Sequence, residues 1–314
     1  MEPLLKLEHL SKQFTLGRKC FYAVEDLSLD ILKGEVLGLV GESGSGKSTL
    51  ARMIMGVYPP TSGGILYRGQ PVRLRSARER AAFSGHAQMV FQDPYTSLDP
   101  RMTAEAAISE GLEIHGTLNA AARRERVCAL LELVGLSREH AGRFPHEFSG
   151  GQCQRLCIAR ALAVEPEFLV CDEPISALDT SIQSQVVNLL KRLRQERGLT
   201  YLFIGHDLNM VRYLSDRIAV MYLGHLVELG ESDALCSNPH HPYTQMLLDA
   251  VLRPDPAHRL LDGAGAANGE GPRTRPDKGC PFAPRCPLAQ ARCHTEFPTL
   301  TQRAAGHFTA CHLN

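Results

Sequence analysis

The chain has 314 residues, 44% of them hydrophobic and 22% charged, an ordinary balance for a globular protein able to bury a sizeable core. Its formal net charge of +0 gives no bulk electrostatic pull toward nucleic acid. No apolar run reaches the roughly 18 residues of a membrane span, Trp is absent, and the opening residues lack the form of a signal peptide, so a cytoplasmic protein able to sit against a membrane protein is expected.

Residues 4–8 and 27–31 alternate apolar and polar side chains, the mark of half-buried strands. Val36 to Val40 is a short apolar strand, and Thr49 to Met55 has helical spacing. A loop at 59–64 leads to a strand at 65–67, and another strand is predicted at 89–91, ending in Gln92, Asp93 and Pro94. From about 103 to 164 the apolar period is helical, broken at Gly135, which predicts a helical block set between two strands. Further on come strand 168–171, helix 182–196, strand 202–204, helix 208–215 and strands near 217–222 and 225–229. Strands alternating with helices imply an α/β fold with a mostly parallel sheet covered on both faces. Residues 254–279 are rich in Pro, Gly, Ala and Arg without periodicity, the composition of a linker.

Between the strand at 36–40 and the following helix lie Gly41, Glu42, Ser43, Gly44, Ser45, Gly46, Lys47, Ser48 and Thr49, which match the phosphate-binding loop G-x-x-x-x-G-K-[ST] in the strand–turn–helix context it requires. The glycines let successive N–H groups point inward, and the helix start adds its positive dipole end. Lys47 can reach the β- and γ-phosphates, and the Ser48 hydroxyl can ligate Mg²⁺. Asp172 and Glu173 end an apolar strand, where Asp172 can hold Mg²⁺ directly or through water and Glu173 can polarise an attacking water. Ser149, Gly150, Gly151 and Gln152 open a helix with a capping-box pattern. Capping explains Ser149 and Gln152. The two glycines between them are poor helix formers, and they leave N–H groups open to an anion.

The phosphate loop, Gln92, the Ser149 to Gln152 run, Asp172 with Glu173, Ser176 to Asp179, and His206 together resemble an ATP-binding-cassette (ABC) ATPase, in the family's order and over nearly the whole chain. The resemblance implies a P-loop NTPase (RecA-like) core with an antiparallel β subdomain and a helical subdomain at about 103–164, all within a nucleotide-binding domain of residues 1–253. It also implies roles. Gln92 contacts Mg²⁺ and the attacking water; Ser149 and Gly151 bind the γ-phosphate of a nucleotide held by the opposite subunit; Asp179 acts across that dimer interface. His206 clamps the γ-phosphate and orients Glu173. An aromatic stacks on adenine, with Phe14 the choice and Phe21 or Tyr22 the alternatives. The runs Phe91 to Thr103, His241 to Gln245 and Gly279 to Cys286 resemble peptide and nickel importers, and Lys47 to Arg52 with Val170 to Pro174 resembles their second, F-type ATPase subunit. The implied protein is the ATPase subunit of a bacterial importer of di- or oligopeptides at the cytoplasmic face of the membrane. Its implied partners are a paralogous ATPase, two permeases and an external solute-binding protein, without nucleic acid. Nickel or another small solute is the alternative cargo, and a soluble cassette ATPase uncoupled from transport is the alternative of another class.

Ten cysteines complete the inventory. Cys20, Cys128, Cys153, Cys157, Cys171 and Cys236 are expected to be buried thiols, Cys153 and Cys157 sharing one helical face. Cys280, Cys286, Cys293 and Cys311 crowd into residues 280–314, where a reducing compartment disfavours disulfides and favours metal. Their spacing C-x5-C-x6-C-x17-C is looser than zinc pairs. Four thiols suit a [4Fe–4S] cluster, to which the resemblance also points, with Zn²⁺ as the alternative because His294, His307 and His312 lie nearby in sequence. The segment's few large apolar residues predict that it needs such a clip to hold a fold.

Overall fold

A computed structural model of the chain describes residues 2–17, 19–74, 76–116, 118–250, 276 and 278–313. Most of the expected linker at 254–279 therefore lies outside the described residues. The chain opens with a long antiparallel hairpin, β1 (Pro3–Leu16) and β2 (Lys19–Leu32). The alternation at 4–8 and 27–31 marks its inner half. The outer half runs past the core into solvent, so burial imposes no pattern there, and Cys20 on it is exposed, contrary to the expectation of a buried thiol. Next come β3 (Val36–Val40), α1 (Lys47–Ile54), β4 (Ser62–Tyr67) and β5 (Gln70–Pro71). The hairpin and these last two strands form an antiparallel sheet in the order β2-β1-β4-β5.

The next stretch holds α2 (Ala77–Ser84), β6 (Ala87–Val90), and the helical block of α3 (Ala104–His115), α4 (Ala120–Leu133) and α5 (Gly150–Leu162). Then follow β7 (Phe168–Asp172), α6 (Thr180–Arg197), β8 (Thr200–Ile204), α7 (Leu208–Leu214), β9 (Arg217–Tyr222) and β10 (His225–Glu231). After them come α8 (Ser232–Ser237) and α9 (Pro242–Asp249), and in the tail β11 (Thr301–Ala304) and β12 (His307–Thr309). The second sheet has the order β11-β12-β10-β9-β3-β8-β7-β6. From β9 through β6 its neighbours run parallel, while β10, β12 and β11 extend it antiparallel at one edge.

The parallel strands are buried on both faces, which explains their unbroken apolar runs. Successive side chains alternate between two cores. Leu37 and Leu39, Phe168 and Val170, and Leu202 and Ile204 pack with α1 and the antiparallel sheet. Val36 and Val40, Leu169 and Cys171, and Tyr201 and Phe203 pack with the helices of the other side.

The tail is built into this fold. β12 pairs with β10, matching Glu228 to Thr309 and Leu229 to Phe308. Glu228 and His307, both buried, approach to 2.7 Å, and the Glu228 carboxylate accepts N–H bonds from His240 and His241. Phe282 is 1% exposed, seated edge-on to Tyr222 at 5.3 Å and against Tyr243 at 5.4 Å. The expectation of a segment too poor in apolar residues to be held without a clip is thus altered: it borrows the core of the rest of the chain. Phe282→Ala should cost about 3–5 kcal/mol by loss of transfer energy and the cavity left behind. A urea unfolding curve should show this as a lowered midpoint at unchanged slope. A loss under about 1 kcal/mol would mean that the tail is only loosely seated.

Candidate active site

Four parallel strands end side by side, and the loops after them carry the chemistry. β3 leads to the phosphate loop, β8 to His206, β7 to Asp172 and Glu173, and β6 to Gln92. Neighbouring strands lie about 4.8 Å apart, so residues scattered over more than 160 positions arrive in one row. With the outer half of the β1–β2 hairpin they enclose a cleft of about 1010 Å³.

The phosphate loop is tightly held. Gly46 has φ 104°, and a Cβ there would stand 2.2 Å from the Ala23 carbonyl oxygen, so only glycine fits before α1. Lys47 Nζ folds back over the loop, donating to Gly41 O at 2.7 Å, Glu42 O at 2.9 Å and Ser45 Oγ at 3.3 Å. Burial holds its ammonium below the usual lysine pKa, opposed by the charges of Glu173, Asp172 and Glu42. A triphosphate entering at the α1 N-terminus offers this lysine stronger, charged acceptors than backbone carbonyls.

The Ser48 hydroxyl donates to Asp172 Oδ1 at 3.0 Å. Burial raises the Asp172 pKa, and the Ser48 bond works against that shift. A hydroxyl and a carboxylate in contact beside a phosphate loop are the hard oxygen donors that suit Mg²⁺. Glu173 follows with φ 46°, a strained left-handed backbone for a glutamate, held by its N–H bond to Ile204 O at 3.0 Å. Its Oε2 accepts from Gln92 Nε2 at 3.0 Å and lies 3.5 Å from His206 Nδ1. One carboxylate oxygen therefore meets groups from two other loops at the cleft.

Phe14, Phe21 and Tyr22 all line the cleft. Phe14 and Phe21 are cross-strand partners, with ring centroids 5.9 Å apart, and Tyr58 braces Phe14 edge-on at 5.4 Å. The helix start at 149–152 forms the expected capping box: Ser149 N–H donates to Gln152 Oε1 at 3.0 Å, and Gln152 N–H to Ser149 Oγ at 3.4 Å. Gly151 has a packing reason as well, since a Cβ would meet Ile182 at 2.4 Å. Ser149, Gly150, Gly151, Gln152 and Asp179 do not line the cleft of their own phosphate loop among the described residues. The two helix cysteines serve packing. Cys153 Sγ reaches Pro145 O, Cys157 Sγ reaches Ser97 and Pro94, and burial pushes the Cys153 thiol up to about 12.

Three residues behind the loop were not legible as functional in the sequence. Tyr243 OH accepts the Glu42 N–H at 2.8 Å, and Arg285 forks onto the Glu42 carboxylate with Tyr222 beside it. Tyr243 lies within the His241 to Gln245 run and Arg285 between two of the tail cysteines, so a resemblance marked both stretches but nothing local linked them to phosphate.

The four tail cysteines are free thiols. Cys280 N–H donates to Cys293 O at 2.7 Å, and burial with the neighbouring Cys293 and Cys311 pushes the Cys280 thiol up to about 11. Cys286 and Cys311 are likewise raised by burial first and by other members of the four. Their donor chemistry fits iron or zinc, yet among the described residues no three His, Cys, Asp or Glu side chains close on a common point.

A phosphate loop after an inner strand of a mostly parallel sheet, an acidic pair after the next strand but one, and an inserted helical block define a nucleotide-hydrolysing P-loop cassette. Residues 24–176 match the family model described as ABC transporter, and residues 227–293 match that described as oligopeptide/dipeptide transporter, C-terminal region. The oligopeptide transport ATP-binding protein OppF of Bacillus subtilis is 58% identical over 81% of this chain and 84% of its own length. The oligopeptide transport ATP-binding protein AppF of the same organism is 46% identical over 99% of this chain and 98% of its own. Among solved structures, cbiO1 from Clostridium perfringens, part of the ABC transporter complex cbiONQ, superposes with a TM-score of 0.68 at 29% identity, covering 76% of this chain and 92% of that one. The ATP-binding cassette MJ0796, in a dimeric structure bound to ADP and Pi, gives 0.66 at 30% identity, over 73% and 98%. The chain belongs to the ABC transporter family, as an ATPase component. No helix among the described residues is long and apolar enough to cross a membrane.

Proposed function

We propose that the chain powers import of di- or oligopeptides as one ATPase of a cassette pair, docked at the cytoplasmic face of the membrane beneath two permeases that receive cargo from an external binding protein. The observation that carries this reading is the split site: the phosphate loop, Gln92, Glu173 and His206 share one cleft, with Asp172 held beside it by Ser48, while Ser149 to Gln152 lie outside it. A second cassette, here assigned to a paralogue, would bring its own helix start over this nucleotide. The peptide cargo draws support from the match at 227–293 and from relatives named for oligopeptide transport.

In this reading residues 1–253 bind nucleotide, 254–279 link, and 280–314 form the cysteine segment. The backbone from Gly41 to Thr49 cradles the phosphates, Lys47 binds the β- and γ-phosphates, and Phe14 stacks on adenine. Ser48, Asp172 and Gln92 hold Mg²⁺, which when bound neutralises charge on the transferred phosphoryl group. Glu173 accepts a hydrogen bond from the attacking water and thereby aims it at the γ-phosphorus. His206 orients Glu173 and reaches the γ-phosphate. Ser149, Gly150, Gly151 and Gln152 serve the partner's nucleotide, and Asp179 contacts the partner.

The isolated chain should therefore hydrolyse ATP slowly, with specific activity rising with its concentration. Activity should climb further when it is reconstituted with the second ATPase and permeases in vesicles loaded for peptide uptake. Full, concentration-independent turnover by a demonstrated monomer would overturn the split site. Uptake of nickel in place of peptide would overturn the cargo alone.

For the tail, the reading is one [4Fe–4S] cluster on Cys280, Cys286, Cys293 and Cys311. The support is four free thiols, of which Cys280, Cys286 and Cys311 have their pKa raised by burial first and in part by other members of the four. Anaerobically purified protein should be brown, with about four iron and four sulfide per chain, and Cys286→Ser should bleach it. Colourless protein with stoichiometric zinc would replace the cluster with the zinc alternative.

A further inference from the structure

The tail and the phosphate loop meet at one ion pair. Arg285 and Glu42, 243 positions apart, form a two-pronged contact: Nη1 to Oε2 and Nη2 to Oε1, both 2.9 Å. The Arg285 side chain is 4% exposed and that of Glu42 21%, so solvent screens the pair little. Arg285 Nη1 also lies 3.3 Å from Tyr222 OH, and its guanidinium carbon is 5.7 Å from the Tyr222 ring and 5.8 Å from that of buried Phe282. These contacts fix the fork in place.

Glu42 sits within the loop that must receive a triphosphate, and a carboxylate there repels it. Its carbonyl accepts from Lys47 Nζ at 2.9 Å and its N–H is held by Tyr243 OH at 2.8 Å. A displacement of Glu42 therefore moves the lysine's own anchor. We propose that Arg285 is a positioning residue for the phosphate loop: it neutralises and holds the Glu42 carboxylate, so that ATP affinity depends on the docked cysteine segment. The ion pair has a plainer alternative use, pinning the tail to the domain. In that case its loss would lower stability without touching nucleotide affinity. The electrostatic reading makes a different demand. With Arg285 gone, a negative charge stays in the loop, and removing that charge as well should restore binding.

The proposal rests on ATP binding as read above. The test uses the full chain, titrated with ATP by calorimetry alongside its thermal melt. Arg285→Met should raise the ATP Kd about tenfold, and in the assembled transporter it should raise KM while kcat changes by less than about twofold. Arg285→Lys, which keeps the charge without the fork, should stay within about threefold of wild type. The double variant Glu42→Gln with Arg285→Met should recover most of the loss. Should Arg285→Met alone fail to fold, the lysine and double variants decide the matter. An unchanged Kd in folded Arg285→Met, or a double variant at least as weak as the single, would overturn the proposal. Wild-type chain that binds no ATP would instead overturn the nucleotide-site reading itself.

Discussion

Glu173→Gln should cut ATP turnover by roughly 10²–10⁴-fold, the range for loss of a positioned general base. The amide keeps the shape of the side chain and one acceptor oxygen for Gln92, which now donates to Oε2 at 3.0 Å. It loses the charge and one acceptor, and with them the ability to draw a proton from water. The contacts with ground-state phosphates lie elsewhere, on the loop and Lys47, so the ATP Kd should hold within about threefold. The reconstituted complex should then accumulate with ATP bound and the cassettes closed. Rapid-quench and steady-state assays read the first effect and nucleotide titration the second. Steady-state hydrolysis near the wild-type rate would remove Glu173 from its role.

Lys47→Ala should fail earlier, at binding. The ammonium offers up to three charged donors, and each charge-assisted bond contributes about 1.5–3 kcal/mol. Losing about 3 kcal/mol net corresponds to a Kd raised roughly 10²-fold. Gly41 O, Glu42 O and Ser45 Oγ, which share this ammonium, would also lose their donor, and the loop would relax. Because burial depresses the Lys47 pKa, wild-type affinity should fall on the alkaline side at lower pH than an exposed lysine would give. A Lys47→Ala protein that binds ATP as tightly as wild type would show that the backbone cradle suffices alone.

Much of this site is legible in the sequence because its parts are local. The phosphate loop needs its glycines, its lysine and its flanking strand and helix within about twenty positions. The capping box at Ser149 and Gln152 spans three. The strands β3, β7 and β8 show as apolar runs because both faces are buried, and helix periodicity marks the block from α3 to α5. The outer half of the β1–β2 hairpin leaves no such trace, since a segment that packs against little is under no pattern, and so Cys20 was misplaced.

The sequence by itself therefore determines a nucleotide-binding loop, an acidic pair after a buried strand, and a helix start suited to an anion. What only the tertiary structure decided is their conjunction. The order β3-β8-β7-β6 is set by ladders between residues 32 to 165 positions apart, and no short-range propensity encodes such a pairing. That order brings Gln92, Glu173 and His206 to one carboxylate oxygen. The same holds for the tail: β12 finds the edge of β10, Phe282 packs against both Tyr222 and Tyr243, and Arg285 reaches Glu42. Nothing local in the sequence links an arginine between two cysteines to phosphate. The arginine becomes part of the phosphate loop's support because edge pairing and apolar burial elsewhere in the segment carry it there.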